Sequence, residues 1–225
     1  MYNMNIKDYR EKELKSYIIG TILIVLCLED MISLSKTGTT EISAVLLSIV
    51  NSGVFGSIIY VMSKVTDCTL TSQAKKILVY MWGRMPGETV FTDIKVNNKD
   101  NRFTTAEVLE KYDYVYNNIE SDTLSSNKEK RMLQNSYWND AYSRVEKNPK
   151  ILISQRDFLM CRDMVCITVI IAILYMVLSI GFKIITFKTT VLIYLLVSYS
   201  VCDVAARVKA KRFVFNVIAS DIRTS

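Results

Sequence analysis

The sequence predicts an all-α membrane protein, with two full-length and two shorter transmembrane helices around a small helical cytoplasmic insert. Three observations predict it. Half of the 225 residues are hydrophobic, and the mean hydropathy is +0.21. The apolar residues gather in four blocks, 16–28, 42–63, 164–182 and 189–208. The polar stretch between the second and third blocks carries repeated helix-start signals.

The blocks differ in length. Residues 42–63 hold no charge over 22 positions, and residues 164–182 none over 19. A hydrocarbon core of roughly 30 Å takes about 20 helical residues at about 1.5 Å each. These two blocks fit. Block 16–28 is apolar for 13 residues before Glu29 and Asp30, and reaches spanning length only by running on through Met31, Ile32 and Leu34. Block 189–208 has 14 uncharged residues, then Asp203 and Arg207. Runs of that size suit a short span or an interfacial helix. The chain is therefore read with four spans or with the central two alone, and either count leaves both termini on one side. The residues ahead of Ser16 are mixed in charge, and no small-residue cleavage site follows the first block, so no cleaved signal is expected.

Lys and Arg set the orientation. The termini and residues 64–163 hold 25 of the 28, and the outer loops hold three, Lys36, Lys183 and Lys188. Short basic flanks stay in the cytoplasm. The expected placement is a bacterial inner membrane, multi-pass, with both termini and the insert cytoplasmic. Alkaline phosphatase fused at Ser126 should be inactive there and a cytoplasmic reporter active; the reverse pair of results overturns this topology. The division that follows is a membrane hairpin over 1–63, a helical insert over 64–163, a second hairpin over 164–208 and a basic juxtamembrane tail over 209–225.

Within the insert, residues 64–82 continue the second span, with Ile77, Leu78, Met81 and Trp82 as the apolar face. Gly83, Pro86 and Gly87 break it. The alternation of residues 89–96 (TVFTDIKV) predicts one short strand. Thr104 and Glu107 then form a capping box, in which the hydroxyl accepts the third amide and the carboxylate reaches back. Val108, Leu109, Tyr112, Val115, Tyr116 and Ile119 follow on one face. Ser126 and Glu129 repeat the box, ahead of a stripe of Leu133, Tyr137, Trp138, Ala141, Tyr142 and Val145. Asn148-Pro149 ends that helix. From Ser154 the chain is read as one helix into the third span.

Chemistry is scarce. There is no His, the commonest general base and zinc ligand, and no phosphate-loop, nucleophile-elbow or CxxC pattern. Cys27, Cys68, Cys161, Cys166 and Cys202 lie in or beside apolar blocks without disulfide spacing and suit a reducing face. The sequence predicts no enzyme, cofactor, metal or small-molecule substrate.

Three sets of residues stand out. Ser48, Ser52 and Gly56 recur every four residues and allow close helix approach, with Asn51 adding an amide that needs a partner. They serve packing within one chain or a homo-oligomer. Arg156-Asp157 and Arg162-Asp163 at the membrane surface read as salt bridges or as a signal or partner surface. Arg207, Lys209, Lys211 and Arg212, followed by Phe213, Val214, Phe215, Val217 and Ile218, read as an anchor on anionic lipid, at about 1 kcal/mol per basic residue.

Several stretches together resemble a family: Met85-Pro86; Lys99-Asp100-Asn101-Arg102-Phe103; Gln134-Asn135-Ser136-Tyr137-Trp138 with Tyr142; and Gln155-Arg156-Asp157-Phe158-Leu159 with Arg162-Asp163 leading into a span. In these the chain resembles the transmembrane effectors of bacterial retron anti-phage systems. The resemblance implies a toxin-like effector of abortive infection, silenced by a reverse transcriptase with its RNA–DNA product and damaging the inner membrane when released. Two other classes share the composition: a membrane effector gated by a cyclic nucleotide, and a non-toxic structural subunit of a membrane complex.

Overall fold

The computed structural model describes residues 6–29, 57, 61, 72–80, 83–98, 100–121 and 126–224, and every regular element among them is helical. In chain order these are α1 (Ile6–Leu28), α2 (Ser72–Tyr80), a 3-10 turn (Pro86–Glu88), α3 (Val90–Asn97), α4 (Thr105–Lys111), α5 (Asp113–Glu120), α6 (Asn127–Val145), α7 (Pro149–Met176), a π-helical turn (Val177–Gly181) and α8 (Thr189–Arg223). The chain divides into two compact units, Met1–Val79 with Met160–Ala205, and Tyr80–Leu159 with Ala206–Ser225. Helices α7 and α8 each supply residues to both.

The first unit is held by three four-residue stripes: Leu14, Ile18 and Ile22 of α1, Ile167, Ile171 and Tyr175 of α7, and Val191 and Leu195 of α8. A four-residue step keeps side chains on one helix face, so each stripe meets the other two. The opposite faces are also apolar. Ile173, Ile193, Leu196 and Val201 are 57–63% exposed. Helix α7 with its π turn, and helix α8, are each long and apolar enough to cross a membrane, yet only 39% and 22% of their apolar windows are buried. A core helix of a water-soluble protein would be mostly buried; these faces call for an apolar surrounding. Both properties suit membrane association.

Blocks 164–182 and 189–208 thus fall on α7 with its π turn and on α8. Block 16–28 is helical, but α1 stops at Leu28, and Glu29 takes the turn position. Block 42–63, with Ser48, Asn51, Ser52 and Gly56, lies outside the described residues apart from Ser57 and Val61. The end of α7 is closed by Lys183 in the left-handed conformation (φ 53°), which brings the Phe182 and Ile184 amides onto the Val177 and Leu178 carbonyls.

The second unit has its own core, in which Val90, Phe91, Ile94, Val108, Tyr112, Val115 and Ile151 are fully buried. The strand expected over 89–96 is helix α3 instead. Val90, Phe91 and Ile94 fall at helical spacing and all point inward, while Asp93 sits in the first turn and Lys95 in the last, where they oppose the helix dipole. Both capping boxes form as expected, at Thr104–Glu107 and Ser126–Glu129. The stripe from Val108 to Ile119 is buried or partly buried as read, but the helix is interrupted at Tyr112 (φ −112°, ψ 25°). The α6 stripe likewise faces the core. At Gly87 a Cβ would come 3.0 Å from Asn135 Oδ1 and 3.3 Å from the Trp138 ring, so any side chain there would make both neighbours give way.

Two further expectations change. Ile77 is 53% exposed, while Val79 and Tyr80 are the buried side chains of α2. Residues 209–223 are no separate tail; they continue α8. Phe213, Val214, Phe215, Val217 and Ile218 are buried in the second core, with Phe213 against the rings of Trp138, Tyr142 and Phe158. The apolar half of the expected lipid anchor is therefore protein core.

Candidate functional site

The charged residues at the middle of α7 and α8 are the first candidates. Arg156 donates to Asp157 Oδ1 at 2.7 Å, and Lys209 donates to Asp157 Oδ2 at 2.9 Å, so one carboxylate joins the two helices in the second unit. Asn216 donates to Ser154 Oγ at 2.9 Å along the same seam. Arg162 pairs with Asp163 at 3.3 Å and belongs to the first unit. The two Arg-Asp pairs thus fall in different units. The first is a helix–helix clamp and the second a local ion pair whose acid is buried.

The basic residues of α8 separate in a similar way. Lys209 is committed to Asp157. Arg207, Lys211 and Arg212 instead line a groove of about 460 Å³ with Asp100, Arg102 and Phe215. Arg102 holds the Asp100 loop in place, donating to both Asp100 oxygens and to Asn216 Oδ1. Its hydrogen bonds keep the Asp100 carboxyl below the usual range despite partial burial. Lys211 lies over the Phe215 ring at 5.6 Å, and Arg207 over Tyr80 at 5.9 Å. Four cations and one acid line this groove.

Sequence reading missed the most heavily bonded residue of the second unit. Asp221 is 1% exposed, accepts two hydrogen bonds from the Arg144 guanidinium at 2.8 and 2.7 Å and one from Tyr112 Oη at 2.5 Å, and has Lys111 Nζ at 3.7 Å. Burial alone would raise its pKa, but the bonds from Arg144 and Tyr112 outweigh it and hold the carboxyl below its ordinary value. Its hydrogen bond in turn raises Arg144, while burial, then Asp221, raises the Tyr112 phenol. This network fastens the end of α8 to α4, α5 and α6.

The first unit holds two polar clusters that were also missed. Tyr175 Oη donates to Glu29 Oε1 at 2.7 Å and accepts from the Lys188 amide at 2.7 Å, while Lys188 Nζ donates to the Leu28 carbonyl at 3.2 Å. This satisfies the acid and a free carbonyl at the end of α1, groups that would be costly to leave bare in an apolar surrounding. Deeper in the unit, Tyr17 Oη lies 2.7 Å from Thr168 Oγ1 and 3.4 Å from Cys202 Sγ, tying α1 to α7 and α8. A lone Tyr, Thr and Cys in apolar blocks give no pattern by which sequence could have paired them.

Among the described residues no group of three or more His, Cys, Asp or Glu side chains draws together as a metal set. Among the described residues Cys161 and Cys166 are buried and Cys27 and Cys202 half-buried, and none of the four is in a disulfide. No family model, curated protein or solved structure matches the chain, so what can be said of its role rests on these residues and their geometry.

Proposed function

We propose that this protein is a multi-pass inner-membrane effector of an anti-phage, abortive-infection system, acting by membrane damage and not by enzymatic chemistry. The observation that carries the reading is the dual use of α7 and α8. Each contributes an apolar, outward-exposed stretch to the first unit and a buried core stretch to the second. A change of packing in the second unit can thereby bias helices in the bilayer with no separate linker. The four-span reading rests on the four apolar blocks, and the cytoplasmic placement of the termini on the charge distribution. The groove around Arg207, Lys211 and Arg212 supports anionic lipid as a partner. Homo-oligomerisation through Ser48, Asn51, Ser52 and Gly56 rests on their four-residue spacing, and silencing by a reverse transcriptase with its RNA–DNA on the sequence resemblance. Induced alone in bacteria, the chain should depolarise the membrane and admit propidium iodide before growth stops. Intact, polarised cells at high expression would refute the effector role.

A further inference from the structure

One face of the second unit contains a polar cavity that the membrane-effector reading does not use. It has a volume of about 350 Å³ and opens between the 3-10 turn with α3 on one side and the start of α6 on the other. Arg84, Lys130 and Arg131 line it, and none of the three side chains has an ion-pair or hydrogen-bond partner among the described residues. Its two acids are already engaged: Thr89 Oγ1 donates to Asp93 Oδ2 at 2.9 Å, and Lys95 pairs with Glu120. The lining as a whole carries four cations against two carboxylates. Cations on an ordinary solvated helix face diverge into water; these converge on one concave space.

Gln134 adds an independent observation. It is 3% exposed and lines the same cavity, and its Oε1 accepts the Thr92 amide at 3.2 Å. That bond fixes which end of the amide faces α3, so Nε2 remains as a donor with no acceptor among the described residues. Nε2 thus stands at the cavity wall as a donor that a ligand oxygen can meet. An oxygen-rich anion in the cavity would accept from it and neutralise the surplus cations. A phosphate group supplies both properties, since Arg and Lys bind it through charge-assisted hydrogen bonds. The volume lies at the small end of the range for ligand sites, roughly 300–1,000 Å³.

We propose that this cavity binds a small phosphate-bearing molecule, with Arg84, Lys130 and Arg131 holding the phosphate and Gln134 Nε2 donating to it. The chemistry is shared by free phosphorylated metabolites and by a phospholipid headgroup, and the test separates them. The full chain, purified in uncharged detergent, is titrated calorimetrically with inorganic pyrophosphate, with adenosine monophosphate and with water-soluble dihexanoyl phosphatidic acid. At least one should bind at one site per chain, more weakly as salt rises. Binding of phosphatidic acid alone supports the proposal with lipid as the source; binding of pyrophosphate or the nucleotide supports it with a soluble source. The double variant Lys130→Gln with Arg131→Gln should weaken binding by about tenfold or more, as loss of charge-assisted bonds to an anion does. Arg84→Gln, outside any helix, should weaken it in the same direction without touching α6. Lys147→Gln with Lys150→Gln, exposed on the second unit and outside both basic grooves, should leave it unchanged. No binding of any of the three at millimolar concentration, or equal binding by the Lys130/Arg131 variant, overturns the site. Neither result bears on membrane damage, so this inference and the effector role fail separately.

Discussion

Met160→Pro should abolish toxicity while leaving the protein in the membrane fraction. Helix α7 runs unbroken from Pro149 to Met176, and the division between the two compact units falls within it, between Leu159 and Met160. Proline there removes the Met160 amide donor and places its ring against the Arg156 carbonyl, at about 3 kcal/mol or more in a helix interior. The apolar stretch from Met164 onward is untouched, so insertion should survive. Met160→Ala keeps the helix and should kill like the wild type. Equal killing by the proline variant would show that α7 does not carry the influence of the second unit.

Arg144→Ala should destabilise the second unit by about 3 kcal/mol, the low end of the cost of leaving a buried carboxylate without its main partner. Lys111 and Tyr112 remain near Asp221 and keep the loss from being larger. Urea titration in detergent, followed by Trp138 fluorescence, reads this, because Trp138 packs on Phe213 next to the α8 segment that Asp221 fastens. The pH dependence gives a second signature. In the wild type the folded carboxyl has a pKa below its unfolded value of about 3.9, so its contribution is complete above that value and fades as pH falls through the folded one. Burial is already the largest single influence on Asp221, and without Arg144 only Tyr112 and Lys111 oppose it, so the folded carboxyl rises. The stability that the wild type gains as pH rises toward about 4 should therefore shrink in the variant. A variant with the wild-type midpoint and pH profile would mean that Arg144 is not the charge that keeps Asp221 ionised.

What the sequence made legible was local. The capping boxes at Thr104 and Ser126 depend on residues three apart, and the stripes on α4, α5 and α6 on steps of three and four, so both could be read without knowing the partner. The helix α3 was misread because Thr, Val, Phe and Ile favour strands in general, whereas tertiary burial of Val90, Phe91 and Ile94 decided the matter. The end of α8 was misread for a related reason. A basic group followed by apolar residues describes an interfacial helix and a helix entering a protein core equally well, and only the aromatic cage around Phe213 distinguishes them. Long-range polar contacts left no trace at all. Asp221 meets Arg144 at a separation of 77 residues and Tyr112 at 109, and Tyr17 meets Cys202 at 185. The cavity beside Gln134 was hidden likewise, since Arg84 and Arg131 come together only when the 3-10 turn lies on α6.

The central claim is that the chain acts on the bilayer by itself. The most direct measurement is release of a trapped fluorescent dye from liposomes of anionic lipid into which the purified full chain has been reconstituted, with insertion verified by resistance to alkaline extraction. The account predicts dye release that grows with protein-to-lipid ratio, and none from vesicles carrying Met160→Pro inserted to the same level. Fully inserted wild-type protein that leaves the vesicles sealed at every ratio would contradict the account, and the chain would then be a structural subunit of a larger membrane complex.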